Sequence, residues 1–149
     1  MKRFRDTTTI SVPLPPAEAM ALFTARGERR WVEGWDPTFP AGEPADEDEG
    51  TVWVTHAHGR RTYWVVAARA SRSVRYTRVT PDLSAGTVEV RERSSTADTT
   101  EVDVTYDLTA LGPHGEAELE RFSSRYAEEI GAWEAAVEAM LDGSDATRS

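Results

Sequence analysis

The chain reads as an α+β domain in which a curved antiparallel sheet is closed by one long C-terminal helix. Two observations predict this. From Glu116 to Leu141, apolar Leu119, Phe122, Tyr126, Ile130, Trp133, Val137 and Met140 recur at steps of three or four, on one stripe of a helix. Ahead of that helix, nearly every segment from Thr51 to Thr109 reads as strand, divided by Gly, Pro, Ser or Asp clusters at hairpin spacing. A lone terminal helix with an aromatic stripe needs a surface to lie on, and the preceding sheet is the candidate. A curved sheet closed by one helix makes a container.

Taken in order, Thr7 to Val12 alternates, with Thr8, Ile10 and Val12 on one face of a first strand. Pro13, Pro15 and Pro16 end it, and Pro16-Ala17-Glu18 suits a first helical turn. A short helix from Ala17 to about Thr24 carries Met20 and Phe23 inward. Arg29 to Pro37 reads as a brief second helix breaking into a loop, and the Gly, Pro and acidic residues of Ala41 to Gly50 read as a solvated loop. Strands are expected near 51–57, 61–69, 73–80, 86–93 and 100–109. In the last, Val102, Val104, Tyr106 and Leu108 oppose Glu101, Asp103, Thr105 and Asp107. Its predecessor sets Val88 and Val90 against Glu89, Arg91 and Arg93, so antiparallel pairing would bring Arg91 and Arg93 near Glu101 and Asp103. Gly112 to Gly115 breaks the sheet, and the tail after Asp142 is expected to fray.

Composition narrows the function classes. The 149 residues fit one domain spanning the whole chain, with its core at about 7–141. A formal charge of -9 disfavours a nucleic-acid or anionic-membrane surface, because both need a basic face. The absence of cysteine excludes disulfides, thiolate metal sites and a cysteine nucleophile. No apolar run suits a signal peptide or a membrane span, so the expectation is a cytoplasmic monomer or homodimer.

The order strand, two short helices, strand meander and long helix resembles the START/Bet v 1-like (SRPBCC) superfamily, with its polyketide cyclase/dehydrase and lipid-transport members. The residues that carry the resemblance are Ile10-Ser11-Val12-Pro13, Trp31-Val32-Glu33-Gly34-Trp35-Asp36-Pro37, Gly50-Thr51-Val52-Trp53, Thr62-Tyr63-Trp64-Val65-Val66, and Glu101 to Leu108 with the helix after it. The specificity lies in their order, which covers Thr7 to Leu141. The resemblance implies a helix-grip fold with a cavity between sheet and helix. It implies functions ranging from lipid and hormone binding to aromatic ring cyclisation, so it selects no activity.

Four of the five tryptophans lie between Trp31 and Trp64. Either they fill a core, or Trp31, Trp35 and Trp64 flank a flat apolar ligand; as a group they favour a pocket, with Tyr76, Phe122, Tyr126 and Trp133 facing the same space. Arg78 shares parity with Val74 and Tyr76, and Glu92 with Val88 and Val90. On a buried face each charge needs a partner or a ligand to orient; at a strand end each would simply be in water. His56-Ala57-His58 places two imidazoles on one face, but only His114 remains as a further histidine, which makes an incomplete metal site. Asp46 to Glu49 lacks the spacing of a calcium loop. No nucleophile elbow, phosphate loop or dinucleotide fingerprint is present. The expectation is therefore binding of a small hydrophobic or aromatic molecule, with no cofactor and no metal. The alternative is a polyketide cyclase/dehydratase-like enzyme using the same cavity, in which His56, Arg78 or Glu92 moves a proton or stabilises an enolate.

Overall fold

The computed structural model describes the backbone from Met1 to Arg148 and side chains from Met1 to Gly143. Strand β1 (Arg3–Val12) is followed by helices α1 (Pro16–Ala21) and α2 (Ala25–Glu28). Then come β2 (Val52–Ala57), β3 (Arg60–Ala70), β4 (Ser73–Thr80), β5 (Ser84–Ser95), β6 (Thr100–Ala110) and the long helix α3 (Pro113–Arg148). The six strands form one antiparallel sheet in the order β1-β6-β5-β4-β3-β2. The sheet curves around α3 as a helix-grip, with the two short helices following the first strand.

The expected helix stripe is the buried one. Leu119, Tyr126, Ile130 and Val137 are almost fully buried, and Phe122, Trp133 and Met140 pack against the same core. The helix begins three residues earlier than its periodicity suggests, because Pro113 fits a first turn and Gly112 accepts the Glu116 amide at 3.0 Å. Its backbone continues past Leu141 to Arg148; the side chains of the expected tail beyond Gly143 lie outside the described residues.

The second helix is displaced from its expected position. It is α2, ahead of Arg29, and residues 29–37 form turns instead. Thr24 caps it by accepting the Gly27 amide at 2.9 Å. The indoles of Trp31 and Trp35 then donate to the carbonyls of Leu22 and Ala25, at 2.8 and 2.7 Å, folding the chain back over α1 and α2. A Cβ on Gly27 would lie 2.0 Å from the Ala21 carbonyl oxygen, so only glycine permits this tight corner.

Register orders the concave face into rows. One row reads Trp53, Trp64, Arg78, Gly86, Leu108 and Phe4 across all six strands. Beside it runs Val66, Tyr76, Val88 and Tyr106. On the other side lie Thr55, Thr62, Thr80 and Ser84. The expected β5–β6 pairing holds, with Arg91 opposite Asp103 and a bulge at Arg93, whose guanidinium lies 3.7 Å from Asp103. Arg91 instead contacts Glu89 at 3.2 Å.

Candidate functional site

Between the concave face and α3 lies a chamber of about 510 Å³, in the usual range for a small-molecule site. Its walls come from four sources. The strands supply Trp53, Trp64, Tyr76, Val88, Val90 and Tyr106, and α3 supplies Phe122 and Trp133. Phe23 and Glu28 come from the α1–α2 corner, and Trp35 from the turn after it. Exposed His56, His58, Glu118, Arg121, Arg125 and Glu129 also border the chamber. Arg125 and Glu129 approach to 3.6 Å, one turn apart on α3.

Arg78 is the unusual wall residue. Register places it between Trp64 on β3 and Gly86 on β5. On one side its guanidinium carbon lies 5.2 Å from the Trp64 ring centre, a cation–π contact. On the other side glycine brings no side chain. A Cβ there would come within 1.9 Å of the Asp107 carbonyl oxygen, so the strands approach too closely for any side chain. Arg78 has no ion-pair partner among the described residues, and its buried Nε lacks a hydrogen-bond acceptor. Burial lowers the guanidinium pKa, opposed by Tyr106 and Glu118, but arginine remains charged in proteins. The Trp53 indole N–H is the second buried donor without a partner.

Several other polar groups around the chamber have partners. The Trp64 indole donates to Thr55 Oγ1 at 2.9 Å, and Thr62 and Thr80 share a 2.7 Å hydroxyl contact. The Tyr76 hydroxyl donates to the Phe23 carbonyl, tying β4 to the end of α1. Burial, reinforced by Glu28 and Glu47, pushes the Tyr76 hydroxyl pKa up. Burial also pushes Tyr106 up to about 12.

Glu28, at the end of α2, is half-buried and faces the chamber. Desolvation, with repulsion from Glu47, raises its carboxyl to about 8, so it is mostly protonated at neutral pH. Glu47 holds the other end of α2, accepting the amides of Ala25 and Arg26 at 2.7 and 3.1 Å. A wider cleft of about 830 Å³ lies beyond Tyr76, bordered by Asp46 to Glu49, Arg26 and Arg69. No buried unpartnered donor faces that cleft among the described residues.

The residues expected from sequence divide accordingly. Trp35, Trp64, Tyr76, Arg78, Phe122 and Trp133 meet at the chamber, and His56 stands at its edge. Trp31 lies behind the lining, edge-on to Phe23 and Trp133 at 5.7 and 5.4 Å. Tyr126 packs toward β1 and β6, donating to the Val104 carbonyl at 2.6 Å. Glu92 is outside the lining altogether: it sits beside the β5 bulge, 3.1 Å from Arg72, where it pins the β3–β4 turn. His58 occupies the two-residue β2–β3 turn with Gly59, both at positive φ, so it shares no metal-ligating face with His56. Among the described residues no group of three or more His, Asp or Glu could hold a metal ion.

Sequence reasoning missed Glu28 and the unpaired indole of Trp53. Glu28 ends a helix of only four residues, too short for periodicity to reveal its face. Trp53 carried a signal in its alternation with Thr55, but its register beside Arg78 depends on the whole meander.

No protein-family model matches the sequence, and no curated protein does. Solved structures match throughout. An aromatase/cyclase, Zhui from Streptomyces sp. R1128, superposes with a TM-score of 0.67 at 10% identity, covering 93% of this chain and 94% of that one. Ara h 8.0201 gives 0.66 at 13% identity, covering 94% and 99%. An HSP90 activator from Plasmodium falciparum gives 0.57 at 15% identity, covering 86% and 89%. At these identities the shared property is the fold, and the named activities differ among its holders. No helix among the described residues is long and apolar enough to cross a membrane.

Proposed function

From this Bet v 1-like helix-grip fold, we propose that the chain binds a small hydrophobic or aromatic molecule in the chamber between sheet and α3. One observation carries the reading: a chamber of about 510 Å³ lined by Trp35, Trp53, Trp64, Tyr76, Phe122 and Trp133. Aromatic walls of this kind give a flat ligand large contact area at low side-chain entropy cost. Native mass spectrometry of the purified protein, followed by denaturing extraction, tests it directly. A co-purifying compound, or saturable quenching of tryptophan fluorescence by 2-methylnaphthalene, is the expected result. An empty protein that also leaves 2-methylnaphthalene unbound would overturn the reading.

A second reading, cyclase/dehydratase-like chemistry in the same chamber, has one observation in its favour. Glu28 faces the chamber with a carboxyl near pKa 8, matched to proton transfer at neutral pH. Arg78 would stabilise negative charge developing on a carbonyl oxygen. Glu92, paired with Arg72 away from the chamber, takes no part. Turnover of a polyketide-like substrate that Glu28→Gln abolishes, with substrate still bound, would establish this reading over simple binding.

A further inference from the structure

Resting on the container reading, we infer that the ligand is amphipathic: a flat apolar body ending in an oxyanion, held by Arg78 and Trp53 together. The two unpartnered buried side-chain nitrogens among the described residues, Arg78 Nε and Trp53 Nε1, belong to one row of the sheet. Trp64 stands between them, parallel to Trp53 at 5.8 Å and beneath the Arg78 guanidinium. Folded proteins pair nearly all buried donors, and an arginine without a counter-charge is costly to bury. Here both residues line the same chamber. A carboxylate or phenolate there would accept from a charged fork and an indole, which neutral oxygen does less well.

The rest of the chamber has matching polarity. Thr55, Thr62 and Ser84 line the side next to the Arg78 row, so the anionic end meets hydroxyls. Phe23, Val88, Val90 and Trp133 line it elsewhere, which suits an apolar body. Gly86, opposite Arg78 on β5, carries no side chain that could pair with it. The carboxylates of the lining on α3, Glu118 and Glu129, are exposed and make no ion pair with Arg78. The whole molecule carries a formal charge of -9. Selection of an anion would therefore run against the long-range field and must come from local contacts.

The test compares 2-naphthoate with 2-methylnaphthalene, which share a ring system and differ in the charged group. Binding is read by calorimetry at pH 7, and the ratio of the two affinities is the measurement. A tenfold or larger preference for 2-naphthoate is expected, on the order of one charge-assisted contact. Arg78→Met should bring the ratio to about one, Arg78→Lys should keep part of it, and Trp53→Phe should reduce it about threefold. A poorly folded variant lowers both affinities and leaves the ratio intact, so the ratio separates recognition from stability. Equal affinities in the wild type, as water-satisfied donors would give, overturn this inference and leave the container reading standing. So does a preference that survives Arg78→Met. Failure of both probes to bind overturns this inference, and together with an empty protein on extraction it overturns the container reading as well.

Discussion

One sheet and one helix build the two halves of this interior differently. Toward β1 and β6, Phe4, Phe122, Tyr106 and Tyr126 meet edge-to-face at 5.2 to 5.7 Å, over fully buried Ile10, Val102 and Val104. The buried Tyr126 hydroxyl has its acceptor. Toward β2, β3 and β4, equally large aromatics surround open volume, and two buried side-chain donors among the described residues go without partners. Close packing and complete hydrogen bonding are the ordinary condition of a protein interior. The β1–β6 half packs ring on ring with its buried Tyr126 hydroxyl paired, up to Tyr106 and Phe122 at the chamber wall, and the β2–β4 half departs from both conditions in the same place. A departure in packing and polarity together is what a binding site requires.

The largest effect should come from breaking the packed half. Tyr126→Ala removes a ring in contact with Phe4, Tyr106 and Phe122 and the donor to the Val104 carbonyl, at a cost of about 4 kcal/mol. Chemical denaturation measures this. A sharper comparison uses two valines on neighbouring strands. Val104 is fully buried, and Val88 lines the chamber. Val104→Ala should cost about 2.5 kcal/mol, but Val88→Ala only about 1, because a side chain bordering a void has fewer partners to lose. Equal costs would mean that the chamber closes in solution.

The same contrast governs how much could be read from the sequence. The packed half was legible because alternation in β6 and the 3.6-residue stripe of α3 each report one buried face. Residues from Val102 to Leu108, and Leu119, Tyr126, Ile130 and Val137, lie where their spacing puts them. Arg78 was legible by the same parity. What it faces was not, because Gly86 and Trp53 become its neighbours only through the β2–β3–β4–β5 register. Glu92 shows the limit of parity: its face is the inward one, but a bulge and the turn at Arg72 take it away from the chamber. α2 was misplaced because its boundary is set by tertiary contacts, the indole bonds of Trp31 and Trp35 and the Glu47 cap.

An intermediate effect separates the chamber's acid from ordinary surface carboxylates. Glu28 is raised from 4.5 to about 8, chiefly by desolvation and then by Glu47, with Tyr76 and Tyr106 also facing it. The folded state thus holds the proton more tightly than the unfolded chain. Stability from this group is fully present below about pH 4.5, falls as pH rises toward 8, and is flat above. The shift corresponds to at most about 5 kcal/mol, which water in the chamber reduces to roughly 2. Glu28→Gln should therefore stabilise the protein by about 2 kcal/mol at pH 9, the gain vanishing near pH 4. Thermal melts across that range measure the crossing, and a gain independent of pH would mean that folding leaves the Glu28 pKa unshifted.

The smallest effect is the most diagnostic, because its sign depends on the ligand. Arg78 places an unpaired cation in the wall, and replacing a buried charge by an apolar residue of similar length is often stabilising. Without ligand, Arg78→Met should raise stability by about 1 kcal/mol in denaturant titration. With 2-naphthoate at a hundred times its dissociation constant, the wild type should gain about 2.7 kcal/mol from binding, and the variant much less. The order of stability would then reverse. A residue kept only for packing would give one order under both conditions. A residue kept for recognition costs stability in the empty protein and returns it when an anion is bound. Finding Arg78→Met less stable without ligand would instead assign Arg78 to the architecture of the Trp53–Trp64 stack.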